Sequence, residues 1–199
     1  MKIKNVLIPL VAIILCSAIL FGLNYGLKGL REKTEEDVLL WHMETILHGN
    51  TEFAEEEYTG EDANISRVFK AETGYVIETV TYGYAGNITM LVAVSNAGEV
   101  MGLVVTDMNE TYTLGTEALS DSDFLLQFLH TKGNVAIGTA GADAFSGATD
   151  TATETADSVY VDGISGATVT SKAIARSVNS AVAFVTGADA DSGATSWGG

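Results

Sequence analysis

The chain is nearly without cysteine, holds few histidines and carries few positive charges beyond its first 33 residues. Cys16 is the one cysteine, which excludes an intrachain disulfide and a cysteine-built metal cluster. The three histidines, His42, His48 and His130, have no metal-ligand spacing. No metal site is expected, nor haem or iron–sulfur chemistry carried by this chain alone. Residues 1–33 hold Lys2, Lys4, Lys28, Arg31 and Lys33 against Glu32. The remainder has 5 basic and 25 acidic residues, a net charge of -20 in a chain of -16 overall. A surface this acidic repels the phosphate backbone, so no nucleic-acid partner is expected.

What is present begins with an apolar run. Val6 to Leu27 is broken only by Ser17, Asn24 and small residues, and as a helix it reaches about 33 Å, enough for a hydrocarbon core. Pro9 stands near its start, where a membrane helix tolerates it. A signal peptide would have a shorter apolar core and small residues at its end; here no Ala-x-Ala follows, and Ile14-Leu15-Cys16 is a poor lipoprotein site. The expectation is a retained single membrane span over 6–27, after a short N-terminus over 1–5. Basic residues flank both ends, so charge alone leaves the orientation undecided.

After the span, residues 32–48 have helical apolar spacing with Gly49-Asn50 as a stop, giving a stalk over 28–50. Residues 52–63 are acidic and read as a surface loop. Strands are expected over Gly74–Tyr82, Gly86–Ser95 and Glu99–Asp107, the last two forming a hairpin around Asn96-Ala97-Gly98. Ile88–Val94 is largely apolar on both faces, hence a central strand with helices over at least one face. Asp121–His130 is a short helix candidate. Residues 137–157, rich in Ala, Thr and Gly, read as a loop. Ile174, Val178, Ala181, Val182 and Val185 form one buried helical stripe ending near Gly187, and 188–199 read as a flexible tail. The fold class is α+β: one domain over 51–187, with a largely antiparallel sheet and covering helices.

The chemistry-bearing segment is Asp162-Gly163-Ile164-Ser165-Gly166-Ala167-Thr168-Val169-Thr170-Ser171, at the mouth of that last helix. Three readings compete. Ser, Thr and Asp are common helix caps and Gly permits a tight turn. Free amides at a helix start bind phosphate noncovalently. Thr168 or Thr170 could instead be esterified to a phosphate. The string lacks the lysine of a nucleotide-triphosphate loop, so ATP or GTP hydrolysis has only weak support. No acid–base pair is evident either, and no complete catalytic site is expected in the isolated chain.

The run Val161–Ile174 resembles the flavinylation motif of the FMN-binding domain family. That family includes the G subunit of Rnf ion-translocating ferredoxin:NAD oxidoreductases and the C subunit of sodium-translocating NADH:quinone reductases. Gly74-Tyr75 followed by Gly83-Tyr84-Ala85-Gly86-Asn87-Ile88 resembles the family's glycine-tyrosine strand. Glu110-Thr111-Tyr112-Thr113-Leu114-Gly115-Thr116 resembles its Glu-Thr-Pro-Gly-Leu-Gly segment, with Tyr112-Thr113 in place of Pro-Gly.

The resemblance implies FMN esterified through its phosphate to Thr168 by a separate Mg-dependent flavin transferase that uses FAD as donor. Asp162 would be read by that transferase. Gly163, Ser165, Gly166 and Ala167 would complete the motif and shape the turn, and the amides of Thr170 and Ser171 would bind the remaining charge. Leu114, Gly115 and Thr116 would lie against the flavin. The strings ending in Thr149 and Thr195 repeat the Asp-x-x-Ser-Gly-Ala-Thr core without the helix behind it, and stand as minor additional attachment sites.

The implied protein is a single-pass cell-membrane subunit with residues 1–5 cytoplasmic and its domain outside. It would carry electrons within an Rnf-type complex that couples ferredoxin:NAD oxidoreduction to Na+ or H+ movement, beside other subunits that include a second flavinylated one. The C subunit of a quinone reductase, a standalone anchored flavin carrier and a non-redox anchored structural or binding protein are the alternatives.

Overall fold

The computed structural model describes residues 4–108, 122–133, 135–138 and 159–187, with the side chains of the first helix described over 13–24 and from 33 onward. Leu114, Gly115, Thr116, Thr149 and Thr195 lie outside the described residues, as do nearly all of the expected loop and the whole tail. The chain divides into two compact units, Met1–Trp41 and His42–Gly199.

The first unit is helix α1, which spans Lys4–Ile46 and so ends inside the second. Between residues 13 and 24 its side chains are exposed on every side; Ile13, Ile14, Leu15, Ile19, Leu20, Phe21 and Leu23 bury nothing. Ser17 turns its hydroxyl back onto the Ile13 carbonyl at 2.8 Å, satisfying the polar group within the helix itself. Among the described residues no helix is long and apolar enough to cross a membrane; of the expected span, only 13–24 has described side chains.

The second unit is built on a five-stranded antiparallel meander, β1 (Ala54–Glu56), β2 (Ile65–Lys70), β3 (Gly74–Tyr82), β4 (Asn87–Ser95) and β5 (Val100–Met108), in that spatial order. The three strands expected from alternation are there to within a residue. The acidic surface loop expected over 52–63 is corrected in part, because β1 lies within it. That strand is exposed throughout and pairs only at the sheet edge, where acidic side chains cost nothing. Strand β2 was not foreseen.

Strand β4 lies inside the sheet and is buried on both faces over Met90–Val94, as its largely apolar sequence requires. Helix α2 (Ser122–Leu126) is shorter than the Asp121–His130 candidate. Beyond it the backbone tightens into i→i+3 bonds and stops at His130, which has a left-handed φ of 64°. Phe124 and Phe128 bury there with their rings edge to face at 5.3 Å. Strands β6 (Val135–Ile137) and β7 (Val159–Val161) form a small parallel pair. Helix α3 (Thr168–Thr186) completes the described chain.

Helix α3 lies on one face of the sheet. Ile174, Val178, Ala181 and Val182 bury with Ile77, Ile88, Met90, Val92 and Val94, and Val185 sits at the rim of that core. The last turn of α1 lies on the opposite face. There Gly102 stands opposite Ala93, and a Cβ on Gly102 would come within 2.5 Å of the Ile46 carbonyl oxygen. Two small residues side by side thus let a helix backbone rest directly on the sheet. The chain then turns back at Gly49 (φ 87°). Buried Asn50 fixes that turn by donating to the Leu47 carbonyl (3.2 Å) and to Thr73 Oγ1 (2.7 Å).

Candidate functional site

The segment from Val161 to Ser171 is fastened at both ends. Strand β7 ends beside β6, and the Gly138 amide donates to the Val161 carbonyl at 3.0 Å. The Asp162 amide donates to Gln127 Oε1 at 3.0 Å, tying the exit of β7 to the turn after α2. Gly163 lets the chain pass close to β6, since a Cβ there would lie 2.5 Å from Ile137 Cγ2 and would force that side chain to shift. The chain then makes a tight turn: the Ala167 amide donates to the Ile164 carbonyl at 3.0 Å. Gly166 sits at the third position of that turn with φ 84°, a geometry glycine adopts without strain.

Ser171 locks this turn to the helix. Its hydroxyl accepts the Ile164 amide (3.3 Å) and donates to the Ala167 carbonyl (3.0 Å), and the residue is wholly buried. Its own amide also donates to the Ala167 carbonyl at 2.9 Å. The expected use of the Ser171 amide on a phosphate is therefore corrected: that hydrogen is committed to the first turn of the helix. Ser171 is a clamp.

The capping reading finds no support. The residue at the cap position is Ala167, and no side chain closes the start of α3. The early amides of a helix have no partner inside it, and neither Ser165 nor Thr168 supplies one. Thr168, at the first helical position, is exposed, whereas Thr170 is 1% exposed and faces the core. Of the two threonines considered as phosphate acceptors, only Thr168 is accessible. Asp162, Gly163, Ser165 and Gly166 are exposed around it, and Ala167 is buried beneath the turn.

Three features gather at this end of the domain. Lys172 and Arg176 follow Thr168 at i+4 and i+8, and so stand on its face of the helix. They are two of only five basic residues after Lys33. Thr81, near the end of β3, donates to the Ala173 carbonyl at 3.1 Å and meets the Ser177 hydroxyl at 3.0 Å. Arg176 Nη2 donates to the Tyr82 carbonyl at 2.9 Å. Strand β5 leaves the sheet at Met108, opposite Ile88, which is itself opposite Thr81. The chain toward Leu114, Gly115 and Thr116 therefore departs from the same end, although those residues lie outside the described ones.

Sequence reasoning missed Gln127, Thr81 and Arg176. Arg176 had a readable signal, being a rare cation in helical register with Thr168. Among the described residues no group of histidine, cysteine and acidic side chains could hold a metal ion. The chemistry offered is that of an anion seat with an exposed hydroxyl: open amides, cations on the same face and a rigid turn. A phosphate ester of FMN fits these donors.

Known proteins resemble this chain over the same region. It is 36% identical over 112 residues to the G subunit of the proton-translocating ferredoxin:NAD(+) oxidoreductase complex of Clostridium ljungdahlii, covering 56% of this chain and 53% of that protein. It thus spans about half the length of the curated relative it matches. The crystal structure of the C subunit of the Na(+)-translocating NADH-quinone reductase from Parabacteroides distasonis matches with a TM-score of 0.45 and 26% identity, covering 60% of this chain and 62% of that one. The FMN-binding domain family matches residues 83–183, from the tip of the β3–β4 hairpin through most of α3. With half of its length matched, and with the hairpin tip, β4 and the Thr168 turn all inside the match, the chain belongs to the FMN-binding domain family.

Proposed function

We propose that this chain is the electron-transfer component of a membrane Rnf-type complex, bearing FMN as a phosphoester on Thr168. The complex would couple ferredoxin:NAD oxidoreduction to Na+ or H+ movement. The observation that carries the reading is the start of α3, without a side-chain cap and with the Thr168 hydroxyl exposed at its first position. Likeness to the G subunit of such a complex supports the assignment.

When bound, FMN supplies reversible electron transfer. The chain supplies the rest. Thr168 contributes the ester oxygen. The amides of Val169 and Thr170, with the cationic heads of Lys172 and Arg176, offset the phosphodiester charge. Ser171 holds the turn so that the hydroxyl stays outside the core. Asp162 stands exposed for a flavin transferase to read. No catalytic acid or base is required of this chain; turnover belongs to the assembled complex, whose partners include a second flavinylated protein.

The N-terminal helix serves as the anchor in this reading. Over residues 13–24 it presents large exposed apolar side chains around its circumference, the character of a helix whose solvent is lipid. Residues 6–27 would span the membrane, 28–50 would form the stalk, and 51–187 would be the extracytoplasmic flavin domain, with 188–199 as its tail.

The test is the intact mass of the full chain coexpressed with a flavin transferase. A gain of one FMN less water is expected, lost in Thr168→Val and kept in Thr149→Val and Thr195→Val. An unmodified mass beside an active transferase would overturn the assignment. Protease accessibility on intact cells tests the side of the membrane on which the domain lies.

A further inference from the structure

We infer that Gln127, on the turn after α2, is a positioning residue for flavin attachment: it fixes the direction in which Asp162 meets the transferase that loads Thr168. This rests on the Thr168 reading and adds to it a residue from outside the motif. In that transfer the Thr168 oxygen takes the FMN phosphoryl group of FAD, the pyrophosphate bond breaks, AMP leaves and the hydroxyl proton passes to solvent. Gln127 acts through Asp162 rather than on the reacting atoms.

The observation is one peptide plane gripped at both edges. The Val161 carbonyl and the Asp162 amide belong to the same planar unit, which turns only as a whole. The Gly138 amide donates to that carbonyl at 3.0 Å, and Gln127 Oε1 accepts from that amide at 3.0 Å. A little further along, Ser171 Oγ accepts from the Ile164 amide at 3.3 Å. The Asp162–Gly163 stretch is thus fastened before and after. The direction of the Asp162 side chain is set from its backbone, although the residue itself is exposed. Without Gln127 the plane would be held by its carbonyl alone, and Gly163, next in line, would let it swing.

Gln127 reaches out from a firm base. Its own amide donates to the Phe124 carbonyl at 3.3 Å, and Phe124 and Phe128 on either side are buried in the same core as Val161. Apolar burial already fastens the end of β7 to this turn. The Gln127 bond is exposed, and water would satisfy the Asp162 amide in its place at small cost to folding. What water does not supply is a fixed direction. Asp162 is the one acidic residue between Val161 and Ile174, so the bond that adds little to stability sets the aim of the only carboxylate the motif offers. That combination marks positioning rather than scaffolding.

The test uses the full chain with purified transferase, FAD and Mg2+. The initial rate of FMN mass gain is read against chain concentration, and urea unfolding is read on the same samples. Gln127→Leu should unfold with the parent and reach the full FMN mass in time, with the transferase's kcat/KM for the chain lowered about tenfold, the scale of a small misplacement. Gln127→Glu keeps an acceptor oxygen at the same reach and should load near the parent rate. In an Asp162→Glu background the carboxylate is already displaced by a methylene, so Gln127→Leu should add little; a merely loosened turn would lose the same factor again. Loading of Gln127→Leu at the parent rate, equal slowing in Gln127→Leu and Gln127→Glu, or a full further loss in the Asp162→Glu background would each overturn the inference. If the parent chain gains no FMN mass, the Thr168 reading fails instead, and this inference with it.

Discussion

The two ends of α3 are finished in opposite ways. At the C-terminal end Gly187 closes the helix in a left-handed conformation (φ 64°), the usual device for satisfying final carbonyls. The Thr186 hydroxyl bonds the Val182 carbonyl, and the Phe184 ring stands edge-on to both Tyr58 and Tyr75. Gly98, in the β4–β5 turn, approaches so closely that a Cβ there would meet Thr186 Cγ2 at 2.5 Å. At the N-terminal end there is no side-chain cap, an exposed hydroxyl and a glycine turn. A residue capable of capping would have been easy to place, and a cap contributes about 0.5–2 kcal/mol. One end is closed by a left-handed glycine and ring contacts; the other forgoes the stability that a side-chain cap contributes.

Substitutions can separate the two roles. The largest effect belongs to Thr168→Val, which should abolish FMN incorporation while changing unfolding stability by no more than about 0.5 kcal/mol, as at other exposed positions. Phe184→Ala is the reciprocal case. It should cost about 2–4 kcal/mol in urea unfolding, discounted from a fully buried aromatic because the ring is half-buried, with flavin loading intact. A loading defect in the folded Phe184→Ala protein would break the division between the ends.

Ser171→Ala removes the clamp and orphans the Ile164 amide. It should cost about 1–3 kcal/mol and also lower loading, because the turn that presents Thr168 loosens. Gly166→Ala forces a side chain into a left-handed turn. A loss of about 1–2 kcal/mol is expected, with slower flavinylation as the accompanying readout.

The smallest effect lies at the sheet edge, away from both ends. There Arg67 bonds Glu55 through two nitrogens at 2.8 and 3.1 Å. That hydrogen bond holds the Glu55 carboxyl below its ordinary value of 4.5. A depressed carboxylate stabilises the fold above its unfolded pKa, and the contribution disappears as pH falls through the folded value. Both side chains are well exposed, so Glu55→Gln should cost only about 0.2–1 kcal/mol at neutral pH. The difference from the parent chain should vanish in acid, measured by urea unfolding at both pH values.

The central sheet was legible because β3, β4 and β5 carry long alternating or doubly apolar runs, and α3 because its stripe repeats over three turns. Strand β2 was not. Its register shifts between Ile65 and Arg67, and one bulge is enough to spoil a period of two in six residues. Strand β1 hides because all three of its residues are exposed at an edge.

At the site, the turn, its glycines and its hydroxyls could be read from spacing. Which threonine is accessible could not, since that depends on how α3 is rotated against the sheet. The nearness of the β3–β4 hairpin was also invisible. Thr81 and Ala173 lie 92 residues apart, and no local pattern encodes such a contact.

The exposed position of Thr168 also bears on timing. The core beneath α3 closes through Ile174, Val178, Ala181 and Val182, none of which needs a ligand to pack. Under the proposed attachment at Thr168, the chain would therefore fold first and be modified afterwards, and the modifying enzyme would meet a finished surface rather than a nascent strand. Loading would then be a separate checkpoint in maturation, and an empty but stable precursor would be a species able to accumulate in the cell.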